Sequence, residues 1–220
     1  MSSDFNDLRK ELGPPTRKRM VAFFDGQNLF KAAEQAFNVT FPDYDPMLLA
    51  REVCSEEDWE LAGVRFYTGV HTMERSAHWH GFWTKKLAHL GKQGATVFRR
   101  NLRYHRKEVK LRGGSFSHDI AVEKGIDVRI AIDLIKLAID QAYDVGVIFS
   151  QDQDLSEAAA EVKQIAVAQT RAIELFSAYP VSTTRRSEAQ WPINHTEAIE
   201  FEEPFYDRCR DKRDYLPPRP

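Results

Sequence analysis

The sequence predicts an α/β protein built on a parallel sheet with helices on both faces. Two short apolar runs, Met20–Phe24 and Val145–Phe149, are continuous rather than alternating, the pattern of strands buried on both sides. Strand-like and helix-like segments alternate along the chain. Both runs also lead into acids, Asp25 directly after the first and Asp152 and Asp154 just after the second. In open α/β sheets that is where ligands bind.

In chain order, residues 1–18 read as an N-terminal arm, broken by Gly13-Pro14-Pro15. Met20–Phe24 is the first strand, with Gly26 allowing a tight turn after Asp25. Phe30–Phe37 is helical, from the spacing of Phe30, Ala33 and Phe37. A further helix runs over Met47–Cys54, with Pro46 as its first residue and Asp45 as its cap. Val64–Val70 is a second strand, and Ser76–Gly91 a helix with the stripe Trp79, Phe82, Trp83, Leu87, Leu90. Ala95–Phe98 is a third strand, and Arg99–Phe116 is read as a basic connection. Glu123–Ala142 holds an acidic helix, Val145–Ser150 a strand and Ser156–Gln169 a helix. Arg171–Ala178 is open between a last strand and a helix. Residues 19–180 thus form the domain, and 181–220 an extension expected to pack Trp191, Phe201, Phe205 and Tyr206 onto it.

The 220 residues, 42% hydrophobic, suffice for one domain with a full core. The net charge of −2 does not by itself advertise a nucleic-acid binder, but the charge is unevenly spread. Cys54 and Cys209 lie far apart without Cys-x-x-Cys spacing and read as free thiols of a reducing compartment. There is neither the apolar core of a signal peptide nor an apolar run approaching the about 18 residues of a membrane span, so the expectation is a cytoplasmic protein with no membrane partner. Monomer and homodimer both stay open.

Asp152 and Asp154, one residue apart, repel each other unless a proton or a cation neutralises them. A hard, oxygen-seeking ion such as Mg2+ or Mn2+ is the candidate. If the two strands are neighbours, Asp25, Asp152 and Asp127, which opens the acidic helix, converge on one pocket. Each acid also has a plainer reading: Asp25, Asp152 and Asp154 as helix caps, and Asp127 as a charge favoured at a helix N-terminus. Capping accounts for each but not for their convergence. Asp133, six residues after Asp127 and on another helix face, is expected to partner a basic residue. Lys124 is either a surface lysine or a contact for a phosphate or carboxylate. The run Arg99-Arg100-Asn101-Leu102-Arg103-Tyr104-His105-Arg106-Lys107, extended by Lys110 and Arg112, offers phosphate contacts, with Tyr104 or His105 to stack on a base. The alternative is a solvated surface loop.

Three blocks resemble the NYN domain, the branch of the PIN-like nuclease superfamily that includes LabA-like and Limkain-like proteins. They are Phe24-Asp25-Gly26-Gln27-Asn28-Leu29, Glu123-Lys124-Gly125-Ile126-Asp127-Val128 with Ile130–Leu134, and Ser150-Gln151-Asp152-Gln153-Asp154-Leu155. Gln151 stands where that family usually has glycine, and Leu155 where it has phenylalanine. The resemblance implies a Rossmann-like three-layer α/β/α fold with a mostly parallel sheet and a metal-dependent ribonuclease acting on RNA. Asp25, Asp127, Asp152 and Asp154 would form its acidic cluster, with Asn28 beside them. In this reading Asp25 and Asp152 bind the ion directly, and Asp127 and Asp154 do so directly or through water. Asn28 and Lys124 position phosphate or water, and Arg99, Arg100, Arg103, Tyr104, Arg106 and Lys107 hold the RNA. The alternatives are a non-catalytic RNA-binding module using the same cleft and, last, a phosphatase or nucleotide hydrolase. The last is weakened because Gln27 breaks the Asp-x-Asp pattern of aspartyl-phosphate enzymes.

Overall fold

The computed structural model describes residues 17–111, 114–184 and 191–215. The arm through residue 16, Arg112, Arg185, Arg186 and Leu216–Pro220 lie outside the described residues, as do the side chains of 108–116, Lys110 among them, and of His118.

The elements in order are β1 (Arg19–Asp25), α1 (Gly26–Phe37), α2 (Pro46–Glu56), β2 (Glu60–Val70), α3 (Ala77–Lys92), β3 (Thr96–Asn101), β4 (Arg103–Leu111), β5 (Gly114–Val122), α4 (Ile126–Ile139), β6 (Val145–Phe149), a 3-10 turn (Gln153–Leu155), α5 (Ser156–Ala168), β7 (Glu174–Pro180), β8 (Glu197–Phe201) and α6 (Glu203–Arg208). Six strands form one sheet in the order β3-β2-β1-β6-β7-β8. Every pair in it is parallel, so all six strands end on one edge.

Helices cover both faces, which is why the strand runs are apolar without alternation. On β1, Met20, Ala22 and Phe24 face a core shared with Leu29 and Ala33 of α1, Leu49 and Val53 of α2, and Phe82 and Leu87 of α3. Val21 and Phe23 face the opposite core, with Ile130 and Leu134 of α4 and Ala159 and Val162 of α5. Phe24 stacks on Phe149 of neighbouring β6, ring centroids 4.0 Å apart. Asp45 caps α2 through the amides of Met47 and Leu48, with Pro46 in the first turn.

Two expectations are corrected. The basic connection is not a loop: Arg99 and Arg100 end β3, and β4 and β5 form an antiparallel hairpin apart from the main sheet. β4 opens Arg-Tyr-His-Arg-Lys and so lacks an apolar run to signal it. The acidic helix opens at Ile126, one residue before the Asp127 expected to open it, because Gly125 takes φ 76, a left-handed turn that suits glycine and leaves Glu123 and Lys124 ahead of the helix. Trp191 is 69% exposed instead of packing on the body, whereas Phe201, Phe205 and Tyr206 are buried.

The last segment is part of the core. β8 pairs with β7 as the sixth strand. Behind it, the ammonium of Lys86, with no solvent exposure, lies 3.4 Å from the Asp211 carboxylate and donates to the carbonyls of Pro42 and Tyr44. Arg210 pairs with Asp43, Arg213 with Asp45 at 3.5 Å, and the Tyr206 hydroxyl donates to Asp43 at 2.6 Å. The Tyr44 hydroxyl in turn donates to the Gly26 carbonyl at 2.9 Å, tying this C-terminal latch to the turn after Asp25. Among the described residues no helix is long and apolar enough to cross a membrane.

Candidate active site at the carboxyl edge of the sheet

Because β1 and β6 are adjacent and parallel, Asp25 and the acid loop that follows Phe149 emerge side by side. Each acid is set by local backbone chemistry. The Asp25 carboxylate caps α1, accepting from the Asn28 amide at 3.0 Å. The Asn28 side chain reaches across to β6, where its Oδ1 accepts from the Gln151 amide at 3.1 Å. Asp152 takes its amide to the Ser150 hydroxyl at 3.1 Å and accepts from the Asp154 amide at 3.1 Å. The capping reading of Asp25 therefore holds, whereas Asp152 caps the 3-10 turn Gln153–Leu155 and the helix from Ser156 carries no side-chain cap from Asp152 or Asp154.

A cavity of about 620 Å³ opens over this edge. Asp25, Asn28, Lys124, Asp127, Asp152 and Asp154, all expected from the sequence, line it. So do Gln27, Lys31, His71 and Glu123, which sequence reasoning did not place there. The hairpin supplies one wall through Leu102, Ala121 and Val122. Asp133 lies elsewhere: it pairs with Arg65 at 3.2 Å and Arg129 at 3.0 Å and accepts from the Tyr67 hydroxyl at 2.8 Å.

The electrostatics are those of acids short of counter-charge. Burial pushes the Asp25 carboxyl up to about 6; the Asn28 amide opposes this, and the charge of Asp152 adds to it. Burial pushes Glu123 up to about 7, with Asp25 adding and the Gly69 amide, which donates to its carboxylate, opposing. Glu123 follows the last residue of β5, immediately before the Lys124-Gly125 turn. A carboxylate at the mouth of a glycine turn was the signal for it.

An all-oxygen, hard donor set with uncompensated negative charge fits a divalent cation of the magnesium type. Among the described residues no three acidic, imidazole or thiol groups already stand together around one point.

None of the basic residues of the run Arg99–Lys107 lines the cavity itself. Alternation on β4 sorts them: Arg103, His105 and Lys107 share one face, Tyr104 and Arg106 the other. The first three are exposed, and Arg103 pairs across the hairpin with cavity-lining Val122. The Tyr104 hydroxyl bonds to His71 Nδ1 at 2.7 Å, and Arg75 sits 4.6 Å from its ring centroid, so one face of this ring is taken. Arg100 lies over Phe98, 5.4 Å from its centroid, and reaches the Lys124 carbonyl.

A family model described as "NYN domain" matches residues 19–190. Among solved structures, a Vibrio parahaemolyticus RIMD 2210633 protein of unknown function aligns with TM-score 0.43 and 15% identity, over 76% of this chain and 85% of that one. No curated protein matches.

Proposed function

The chain belongs to the NYN domain family, within the PIN-like nuclease superfamily, and from that premise we propose that it is a metal-dependent ribonuclease working at the carboxyl edge of the sheet. The observation that carries the reading is the meeting of acids from three separate segments in one cavity, with Asp25 and Glu123 raised by burial and by like charge. Buried carboxylates facing carboxylates cost stability unless something positive joins them.

Asp25 and Asp152 would hold Mg2+ or Mn2+, with Asp127 and Asp154 contributing directly or through water. When bound, such an ion lowers the pKa of its water and stabilises the charge that develops on the phosphate oxygens. The residues do the placing. Asn28 fixes the acid loop against the start of α1, so the spacing of Asp25 and Asp152 is set by backbone and not by rotamer choice. Lys124, exposed at the rim, is positioned to meet a phosphate. Arg99 and Arg100 on β3, and Arg103 and Lys107 on one face of the hairpin, approach the phosphates beyond it, with Tyr104 and Arg106 on the other hairpin face. Both cysteines are buried free thiols, which suits a cytoplasmic protein.

The test is cleavage of labelled single-stranded RNA with Mg2+, Mn2+ or EDTA, with Asp152→Asn alongside. Metal-dependent products that vanish in the variant are expected. Equal cleavage in EDTA, or full activity of the variant, sinks the reading. RNA binding without cleavage by either protein would turn it into a binding module.

A further inference from the structure

The geometry points to Trp191 as a base-stacking platform that makes single-stranded RNA, and not duplex, the ligand of this site. The inference rests on the reading of the site as one for RNA.

Trp59 and Trp83 are buried and Trp79 is half-buried, whereas Trp191 exposes 69% of its surface. Isolated exposed apolar residues are common and mean little by themselves. This one is different in how it is held. The Gln151 side chain donates through Nε2 to the Trp191 carbonyl at 3.3 Å, and Gln153 Nε2 donates to the next carbonyl, that of Pro192, at 3.0 Å. Gln153 Oε1 then accepts from the Asn194 amide at 3.1 Å. Between these contacts Ile193 is fully buried, its amide donating to the Ser177 hydroxyl at 2.9 Å. The backbone beneath the indole is therefore fastened to β7 and to the acid loop, while the ring is left to solvent.

The acid loop has a double role. Asp152 and Asp154 line the cavity, and the alternate residues Gln151 and Gln153 carry the Trp191 segment. Gln151 is the position where glycine is usual in the resembling family, and here its side chain has a use that glycine could not supply. With the backbone beneath it held, the indole costs a stacking ligand no ordering of the main chain, which favours binding.

The chemistry of the occupant follows from the surroundings. The hairpin, with Arg103, His105 and Lys107 exposed on one face, follows edge strand β3, while Trp191 precedes the opposite edge strand β8. The acids lie between, at the ends of β1 and β6. A polyanion with free aromatic faces can touch all three: phosphates on the hairpin, a phosphate at the acids, a base on the indole. Paired bases are shut within their stack, so the ring selects unpaired RNA without selecting sequence.

The experiment uses the full chain with Asp25→Asn, in magnesium, so that bound RNA is not consumed. A labelled oligouridylate and a duplex of equal length are titrated, with and without Trp191→Ala or Trp191→Phe. Trp191→Ala should weaken single-strand binding about 5- to 100-fold, the range of one base stack. Trp191→Phe should recover most of it, duplex binding should not respond, and RNA should quench indole fluorescence only when Trp191 is present. Equal affinity of Trp191→Ala and its parent for the oligouridylate overturns the inference, even if the wild-type protein cuts RNA. Failure of the parent to bind RNA overturns it too. Trp191-dependent binding by a wild-type protein that never cleaves would support the platform and reject the nuclease.

Discussion

Two regions of this protein bury charge, and they do it in opposite ways. At the C-terminal latch every charge meets its opposite: Lys86 with Asp211, Arg210 with Asp43, and Arg213 with both Asp45 and Asp211. In the cavity the buried acids meet mainly each other, and burial drives Asp25 to about 6 and Glu123 to about 7. In the latch burial lowers the Lys86 pKa, but Asp211, Asp45 and Asp43 all pull it back up. Paired burial belongs to architecture. Unpaired burial marks a place completed by something else.

The comparison can be broken most decisively at Asp25. Asp25→Asn should cut RNA turnover about a thousandfold or more, the scale of losing a principal electrostatic group. Yet it should not lower the melting temperature at pH 8 without metal, because it removes a buried charge that lacks a partner. A variant that loses activity only because it melts early would refute the distinction. At the latch the opposite holds. Lys86→Ala takes the fully buried ammonium away from Asp211 and from the Pro42 and Tyr44 carbonyls, leaving Asp211 only the half-exposed Arg213, and should cost about 3–5 kcal/mol, lowering the melting temperature by roughly 10 °C or more. Replacing the pair together with apolar residues should recover much of that loss. If Lys86→Ala melts like wild type, the latch is not what stabilises this end.

The pH dependence of stability is the next effect. Asp25 rises to about 6 from 3.8 and Glu123 to about 7 from 4.5, so between those values the folded chain binds more protons than the unfolded one. Stability should therefore fall as pH rises from 5 to 8 in EDTA, by on the order of 2–3 kcal/mol. Mn2+ should restore it at pH 8 and do little at pH 5. Thermal melts across that range decide it, and a curve that rises towards pH 8 in EDTA would contradict the account. The smallest effect lies on the hairpin: Arg103→Ala should weaken RNA binding by about fivefold and reduce the salt slope by about one. Binding isotherms at several salt concentrations read both.

Much of this was legible in the sequence. The β1 and β6 runs, bare of alternation, announced the sheet and the edge on which the acids gather, because a strand covered on two faces has no polar face to show. Asp25, Asn28, Asp127, Asp152 and Asp154 were found because acids directly beyond such strands have few other reasons to gather. What stayed hidden depended on long-range partners. The hairpin carries charge where a strand signal would carry apolar residues. Glu123 took its place from a left-handed turn at Gly125, and Trp191 is held out by glutamines whose targets lie about 40 residues away. Tyr206 was expected to pack, but its bond to Asp43 across the chain has no local sign at all.

The latch also bears on how the molecule opens. An edge strand and a short last helix are commonly the first parts of a domain to fray. Here the stretch just past α6 carries Arg210, Asp211 and Arg213, so its release with α6 would strip the partners from Asp43, Lys86 and Asp45 in one event. Local opening thus carries nearly the penalty of unfolding everything. In hydrogen exchange, the amides of this last stretch should behave like those at the centre of the sheet, exchanging only when the whole domain comes apart.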